Sequence, residues 1–332
     1  MKILLDENKK FFKGNMHCHS VLSDGHLTTI ELKEKYKGNG YSFLAITDHE
    51  VLYNNSYLDD EDFITITSTE YAFKEFAEQS TLKNFNMKVA HFNLYAKKQD
   101  NVNNFLYNTV YDHYSDAETK AKQLEKFGEN KRKYTPKCIN KFIKDANKKG
   151  FFVAYNHPRW SLENYKQYSK YEELWGVEVF NSISDKDGIY EYNINVYDDF
   201  LRDGKKVFAS CGDDNHNNKN RDLNECFGAF VMVNADSLSY DNIINGLLEG
   251  NFYSSQGPII KSLVLDGDTV KIKCSECYQI SFSTYGRRAG SVHDDNCKLT
   301  EAEFKIRKED IYFRIDVIDK YGKRANTQAY YV

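Results

Sequence analysis

Hydrophobic positions along this chain follow two regimes that meet near Pro258. Before it, short runs that are almost wholly apolar alternate with segments of helical period. Residues 43–47, 63–67, 88–90, 151–155, 176–180, 207–211 and 227–233 read as strands. Runs lacking in–out alternation predict strands buried on both faces. Between them, Ile139, Phe142, Ile143 and Ala146 recur on one helical face behind Thr135-Pro136, and Gly150 ends the segment. Thr28-x-x-Glu31 has the form of a capping box opening a helix over 29–37. After Pro258 the helical period stops. Residues 259–265 and 270–274 flank Asp266-Gly267 as a hairpin, and 279–284, 302–307 and 311–318 add strands. The pattern predicts an α/β barrel unit over 1–258 and a small all-β domain over 259–332. A polar, Tyr-rich stretch at about 96–134, with one helix over 115–127, reads as an insertion, either a decoration or a substrate cover.

The length, 332 residues, suits two domains at roughly 150 residues each. With 45 basic and 49 acidic residues the formal charge is −4, which argues against extended nucleic-acid binding or an acidic membrane surface. No apolar run approaches the roughly 18 residues of a membrane span, and residues 1–14 lack a signal-peptide pattern. Seven cysteines at irregular spacing fit reduced thiols in a cytoplasm. Cys274-x-x-Cys277 has no second pair, so a zinc ribbon is not expected. The 25 Tyr and 22 Phe imply a core built largely from rings.

The histidines carry the chemistry. His17 and His19 form an HxH pair whose rings share one side of an extended chain. Asp24 follows in Ser23-Asp24-Gly25. His49, Glu70, His91 and His157 each fall at or just past the end of a predicted strand, as do Asp214 and His216 in Gly212-Asp213-Asp214-Asn215-His216. In a parallel barrel those ends meet on one rim. Nitrogen and oxygen donors without thiolate suit Zn²⁺, Mn²⁺ or Fe²⁺, and nine donors suit two or three ions. His26 could contact substrate, whereas His113 and His293 are expected at the surface, and Lys131-Arg132-Lys133 reads as a solvated turn.

In this order, the His17-x-His19, Ser23-Asp24-Gly25, Thr47-Asp48-His49, Glu70, His91, Asn156-His157-Pro158 and Gly212–His216 motifs resemble the PHP (polymerase and histidinol phosphatase) family over about residues 14–257. Residues 250–257, Arg314-Ile-Asp-Val-Ile-Asp319 and Gly322-Lys-Arg-Ala325 resemble its carbaryl-hydrolase-like subgroup, in which a small β domain follows the barrel. The resemblance implies a distorted (β/α)7 TIM-like barrel with a bi- or trinuclear centre. It puts His17, His19, Glu70 and Asp214 on a first ion. Glu70 bridges to a second on His91 and His157, and Asp24, His49 and His216 hold a third. Asp213 stands where many members carry Ser; the D-x-H spacing favours Asp214 as the ligand.

These features predict a metal-dependent phosphoesterase that attacks a small phosphorylated metabolite or nucleotide with a metal-bridging hydroxide held by Glu70 and Asp214. Arg159, next to His157-Pro158, is the candidate phosphate clamp. Hydrolysis of a carboxyl ester or carbamate at the same centre is one alternative. A non-catalytic metal-binding module is the other.

Overall fold

The computed structural model describes residues 1–76 and 86–332. Its strands are β1 (Lys2–Leu5), β2 (Lys10–Asn15), β3 (Phe43–Ile46), β4 (Ile64–Lys74), β5 (Val89–Ala96), β6 (Phe151–Tyr155), β7 (Gly176–Asn181), β8 (Phe208–Gly212), β9 (Phe230–Ala235) and β10 (Phe252–Ser255). After Pro258 come β11 (Ile260–Asp266), β12 (Thr269–Cys277), β13 (Gln279–Thr284), β14 (Ala289–His293), β15 (Leu299–Lys305), β16 (Tyr312–Ile318), β17 (Arg324–Asn326) and β18 (Tyr330–Tyr331). The chain is thus mixed α/β up to Pro258 and built of strands beyond it. No helix among the described residues is long and apolar enough to cross a membrane.

The ladders run β14-β13-β16-β17-β10-β9-β2-β3-β4-β5-β6-β7-β8. The expected all-parallel order holds only in two stretches, β2-β3-β4 and β6-β7-β8. β5 runs antiparallel to both of its neighbours, and β2 antiparallel to β9. No ladder joins β8 to β9 among the described residues, so backbone pairing does not close a ring. The seam is bridged by side chains instead. Cys211 Sγ on β8 donates to Phe230 O on β9 at 3.0 Å. Gln328 acts as a surrogate strand on β8, accepting from Ala209 N at 2.8 Å and donating to Ala209 O at 3.1 Å. A sheet edge is thereby covered rather than left to pair with another chain. The second sheet, β1-β11-β12-β15, takes its first strand from the start of the chain.

Local signals act as read. The helix Thr29–Lys37 starts with a complete capping box between Thr28 and Glu31. The helix Pro136–Lys148 buries Ile139, Phe142, Ile143 and Ala146, is capped by Thr135, and ends before Gly150 at φ 83°. The helix expected from Ser115 is Ala117–Phe127, and its cap is Asp116. Rings fill the core: Trp175 stacks on Phe252 with centroids 5.7 Å apart.

The reversed β5 corrects one expectation. His91 lies near the start of its strand, not at its end, and Glu70 lies inside β4. Because β5 runs against β4, its beginning faces the rim that its neighbours reach with their later residues. Ala72 pairs with His91, and Phe92 with Tyr155.

Candidate metal centre

Glu70 is the hub of the site. Its Oε1 lies 3.1 Å from His91 Nδ1, 3.2 Å from His157 Nε2 and 3.4 Å from His17 Nε2. Its Oε2 lies 3.1 Å from His49 Nδ1 and 3.5 Å from His19 Nε2. Asp214 Oδ1 is 3.0 Å from His19 Nε2 and 3.1 Å from His17 Nε2. Asp24 meets His216 Nε2 at 3.4 Å, His19 Nδ1 at 3.6 Å and His49 Nε2 at 3.6 Å. All nine residues singled out in the sequence therefore belong to one connected cluster.

Donor atoms fall into three sets, each within 4.8 Å of one another: His17, His19, Glu70 and Asp214; His19, Asp24, His49 and His216; and His49, Glu70 and His91. The first is the set implied for one ion. The second contains the implied Asp24, His49 and His216 and adds His19. The third has His49 where the resemblance places His157. His19 and His49 thus each appear in two sets, presenting one nitrogen to Asp24 and the other to Glu70.

The donors fit a divalent cation. Ligands at about 2.0–2.2 Å from an ion stand roughly 3–4.4 Å from one another. The Nε2 atoms of His17 and His19 face each other at 3.3 Å, a spacing suited to two nitrogens sharing a cation. Glu70 Oε2 is buried without a hydrogen-bond donor. A cation at that oxygen would supply the partner it lacks.

Electrostatics point the same way. Burial alone would raise the pKa values of Glu70, Asp24 and Asp214, but the surrounding imidazoles hold all three carboxyls far below the usual range. Burial alone would lower those of His157 and His216. Glu70 overrides it for His157, Asp24 and Asp214 for His216, and each is raised to about 9. His49 goes the other way, to about 3, because burial outweighs the attraction of Glu70.

Asp213 is separated from the cluster by its own bonds. It accepts from the Tyr36 hydroxyl at 2.7 Å and from the backbone N–H groups of Phe227, Gly228 and Ala229 at 2.8, 2.8 and 2.9 Å. Burial still lifts its pKa to about 6. The aspartate in the cluster is Asp214.

A cavity of about 540 Å³ opens over the centre, lined by Lys74, Trp160 and Arg221 together with His26 and His113. Trp160 packs edge-on against His157, centroids 4.8 Å apart. Arg159 is exposed and does not line it, which corrects the phosphate-clamp expectation. The physical reason is the turn: Glu191 accepts from Arg159 N and Trp160 N at 2.9 and 2.8 Å, holding the loop with Trp160 over the cavity. His113, expected at the surface, is exposed and also lines the mouth. The insertion reaches the site as well. Tyr111 and Tyr114 line the cavity, and Arg132, far from a solvated turn, is buried against Glu50.

No family model and no curated protein matches the chain. Among solved structures it is similar to a two-domain protein from Bacteroides vulgatus ATCC 8482 that contains a PHP-like metal-dependent phosphoesterase by prediction, at 14% identity, 99% of this chain, 96% of that one and a TM-score of 0.48. A metal-dependent phosphoesterase assignment from Bifidobacterium adolescentis ATCC 15703 matches at 16% identity over 64% of this chain and 90% of the other, TM-score 0.40. An amidohydrolase from Chromobacterium violaceum, solved with sulfate and no metal, matches at 13% identity over 72% and 96%, TM-score 0.39. The chemistry is carried by the residues of the site.

Sequence reasoning missed Glu178. It is buried in β7, with Oε1 3.0 Å from His17 Nδ1. One signal was available: a lone carboxylate in the otherwise apolar run Gly176-Val-Glu-Val-Phe180 has a buried side chain to satisfy.

Proposed function

We propose that this chain is a divalent-metal-dependent phosphoesterase acting on a small phosphorylated metabolite or nucleotide. The observation that carries the reading is the gathering of six imidazoles and three carboxylates into one cluster, five of the imidazoles around Glu70, at the floor of a cavity. The curled run of strands from β9 to β8 is read as the distorted (β/α)7 barrel, with its seam at Cys211, and the strands after Pro258 as a small β domain. His17, His19, Glu70 and Asp214 would hold one ion, His91 and His157 with Glu70 a second, and Asp24, His49 and His216 a third. Zn²⁺, Mn²⁺ and Fe²⁺ suit this donor set. Bound ions would supply Lewis acidity toward a phosphoryl oxygen and a water acidic enough to act as nucleophile near neutral pH.

The chain's own residues would do the rest. Glu70 and Asp214, each shared among several imidazoles, fix the spacing of the donors. Lys74 places positive charge in the cavity; Arg221 also lines it, but its guanidinium is paired with Asp187 and lies 3.7 Å from Glu225. Trp160 and the tyrosines of the insertion supply apolar walls that orient a leaving group and limit water. Charge supports an anionic substrate conditionally. With Glu178 the carboxylates within 4 Å of the cluster's imidazole nitrogens number four, so against these four, three divalent ions leave about +2 and two leave near neutral. A phosphate dianion is therefore drawn in by the third ion, or by Lys74.

The test is a panel of phosphomonoesters, bisphosphates and aryl carboxyl esters with Mn²⁺. Release of inorganic phosphate, abolished by chelation, is expected. Phenol or naphthol release from the carboxyl esters with no phosphate from any member would make the chain an ester hydrolase. Silence across the whole panel with metal bound would make it a binding module.

A further inference from the structure

We infer that Glu178 is the positioning residue that sets the metal-binding tautomer of His17 and locks His17, His157 and Asp214 into one rigid unit. This rests on the metal-centre reading. Glu178 Oε1 is 3.0 Å from His17 Nδ1. Oε2 accepts from the backbone N–H of His157 at 3.0 Å and from Asn181 Nδ2 at 2.9 Å. Asn181 Nδ2 also donates to Asp214 Oδ2 at 3.0 Å. One carboxylate thus serves two of the nine cluster residues directly and a third through a single amide.

Chemistry gives this arrangement direction. A neutral imidazole carries one N–H. A carboxylate beside Nδ1 holds that proton there and leaves the Nε2 lone pair facing Asp214, Glu70 and His19, where a cation would sit. His216 receives the same treatment from a neutral group, its Nδ1 lying 2.9 Å from the Asp214 carbonyl. His19 and His49 face carboxylates of the cluster with both nitrogens, and outside the cluster only the Ser23 hydroxyl, 3.4 Å from His19 Nδ1, approaches either ring nitrogen among the described residues.

The local backbone is built for the contact. Residues 178 and 181 would face opposite sides of a regular strand, but the pairing of β7 with β8 slips register between Glu178 and Phe180. That irregularity lets both polar side chains reach the same centre. Gly212 on β8 clears the approach: a Cβ there would lie 2.4 Å from the His17 Cβ and 3.1 Å from Glu178 Oε1. His157 sits at φ 24°, and its N–H bond to Glu178 holds that unfavourable backbone in place.

The placement is selective. Glu178 and Asn181 reach the His17, His157 and Asp214 side of the centre and make no bond to Asp24 or His49. Glu178→Gln keeps the volume but leaves one acceptor oxygen for three donors. Metal-stripped wild type, Glu178→Gln and Glu178→Asp are titrated with Mn²⁺ and Zn²⁺, and retained metal is counted by mass spectrometry after dialysis. Glu178→Gln should weaken the ion on His17 by about 10–100-fold and leave the ion on Asp24, His49 and His216 within about twofold. Glu178→Asp should recover part of the loss. Imidazole ¹⁵N spectra of the loaded wild type, which need no variant, should show His17 protonated at Nδ1.

Equal affinities in wild type and Glu178→Gln, an even loss of every ion, or a His17 proton on Nε2 would each overturn the assignment. A wild type that binds no metal is a different result, and it removes the metal-centre reading along with the inference.

Discussion

The hydroxyl of Tyr114 donates to Asp24 Oδ2 at 3.1 Å, and the Tyr114 ring lies within 18° of parallel to the His49 ring. Ninety residues of sequence separate the two partners. The insertion is therefore bonded to the metal cluster through its Asp24 set. Tyr114→Phe should weaken the ion on Asp24, His49 and His216 by about 2–10-fold, the net worth of one ordinary hydrogen bond at a half-exposed site, with the His17 set unchanged. Competition titrations with a chromophoric chelator read this. Equal weakening of both sets would mean the hydroxyl has no special tie to Asp24.

Arg132 anchors the same insertion from below. Its guanidinium binds both oxygens of Glu50, with Nη1 to Oε1 at 2.9 Å, donates to Ala72 O at 2.9 Å, and stacks 4.1 Å from the Tyr111 ring centroid. Both side chains are almost fully buried. Removing one partner of such a pair strands a buried charge, so Arg132→Met should cost about 3–5 kcal/mol in denaturant melts. Lys131→Met and Lys133→Met, at exposed positions, should stay within about 0.5 kcal/mol. Equal effects at all three would contradict the buried pair.

Neighbouring aspartates should separate by readout. Asp213→Ala strands three backbone donors, while the Tyr36 hydroxyl keeps Asn215 Oδ1 at 2.6 Å, and should lower stability by at least about 2 kcal/mol while the folded fraction keeps its full metal count. Asp214→Ala should lose metal. The pair of measurements is calorimetry for stability and mass spectrometry for metal; metal loss confined to Asp213→Ala would reverse the assignment.

Metal uptake should release protons. In the metal-free protein burial works against the charged imidazoles, but neighbouring carboxylates raise His157 and His216 to about 9, above the ordinary value near 6.5. A raised folded-state pKa stabilises the metal-free fold fully below about pH 6.5, and this stabilisation is lost as pH climbs through 9. For His17 too, burial would lower the pKa, but Asp214, Glu70 and Glu178 hold it well above 6.5. Ligands must be deprotonated, so binding near pH 7.5 should expel roughly three protons, from His157, His216 and His17, and affinity should rise with pH across that window. Titration calorimetry in buffers of different ionisation enthalpy counts them. Proton-neutral binding would place the ion on other donors.

Much of the centre was legible because its donors are rare residue types repeated at strand ends. HxH and D-x-H spacings, and the lone carboxylate Glu70 in a Thr-rich run, survive in the sequence whatever the sheet does. Strand direction did not survive in that way. The run at Val89–Ala96 is buried on both faces, with His91 and Asn93 on one of them, and nothing in such a run says whether it lies parallel or antiparallel to its neighbours, so the sequence places His91 at the wrong end. Arg159 and Trp160 are adjacent in sequence, and only the Glu191 contacts decide which one overlooks the cavity. Arg132 reads as solvated because its partner Glu50 is 82 residues away. Long-range pairing is the information that local pattern lacks.

Anomalous diffraction from crystals grown with micromolar Mn²⁺ or Zn²⁺, collected on both sides of the absorption edge, would locate any bound ion directly. Two or three peaks, each about 2.0–2.4 Å from donor atoms of Glu70, Asp214, Asp24 and their histidines, are expected. A featureless anomalous map in this cavity, or a peak only at Cys274 and Cys277, would contradict a metal centre here.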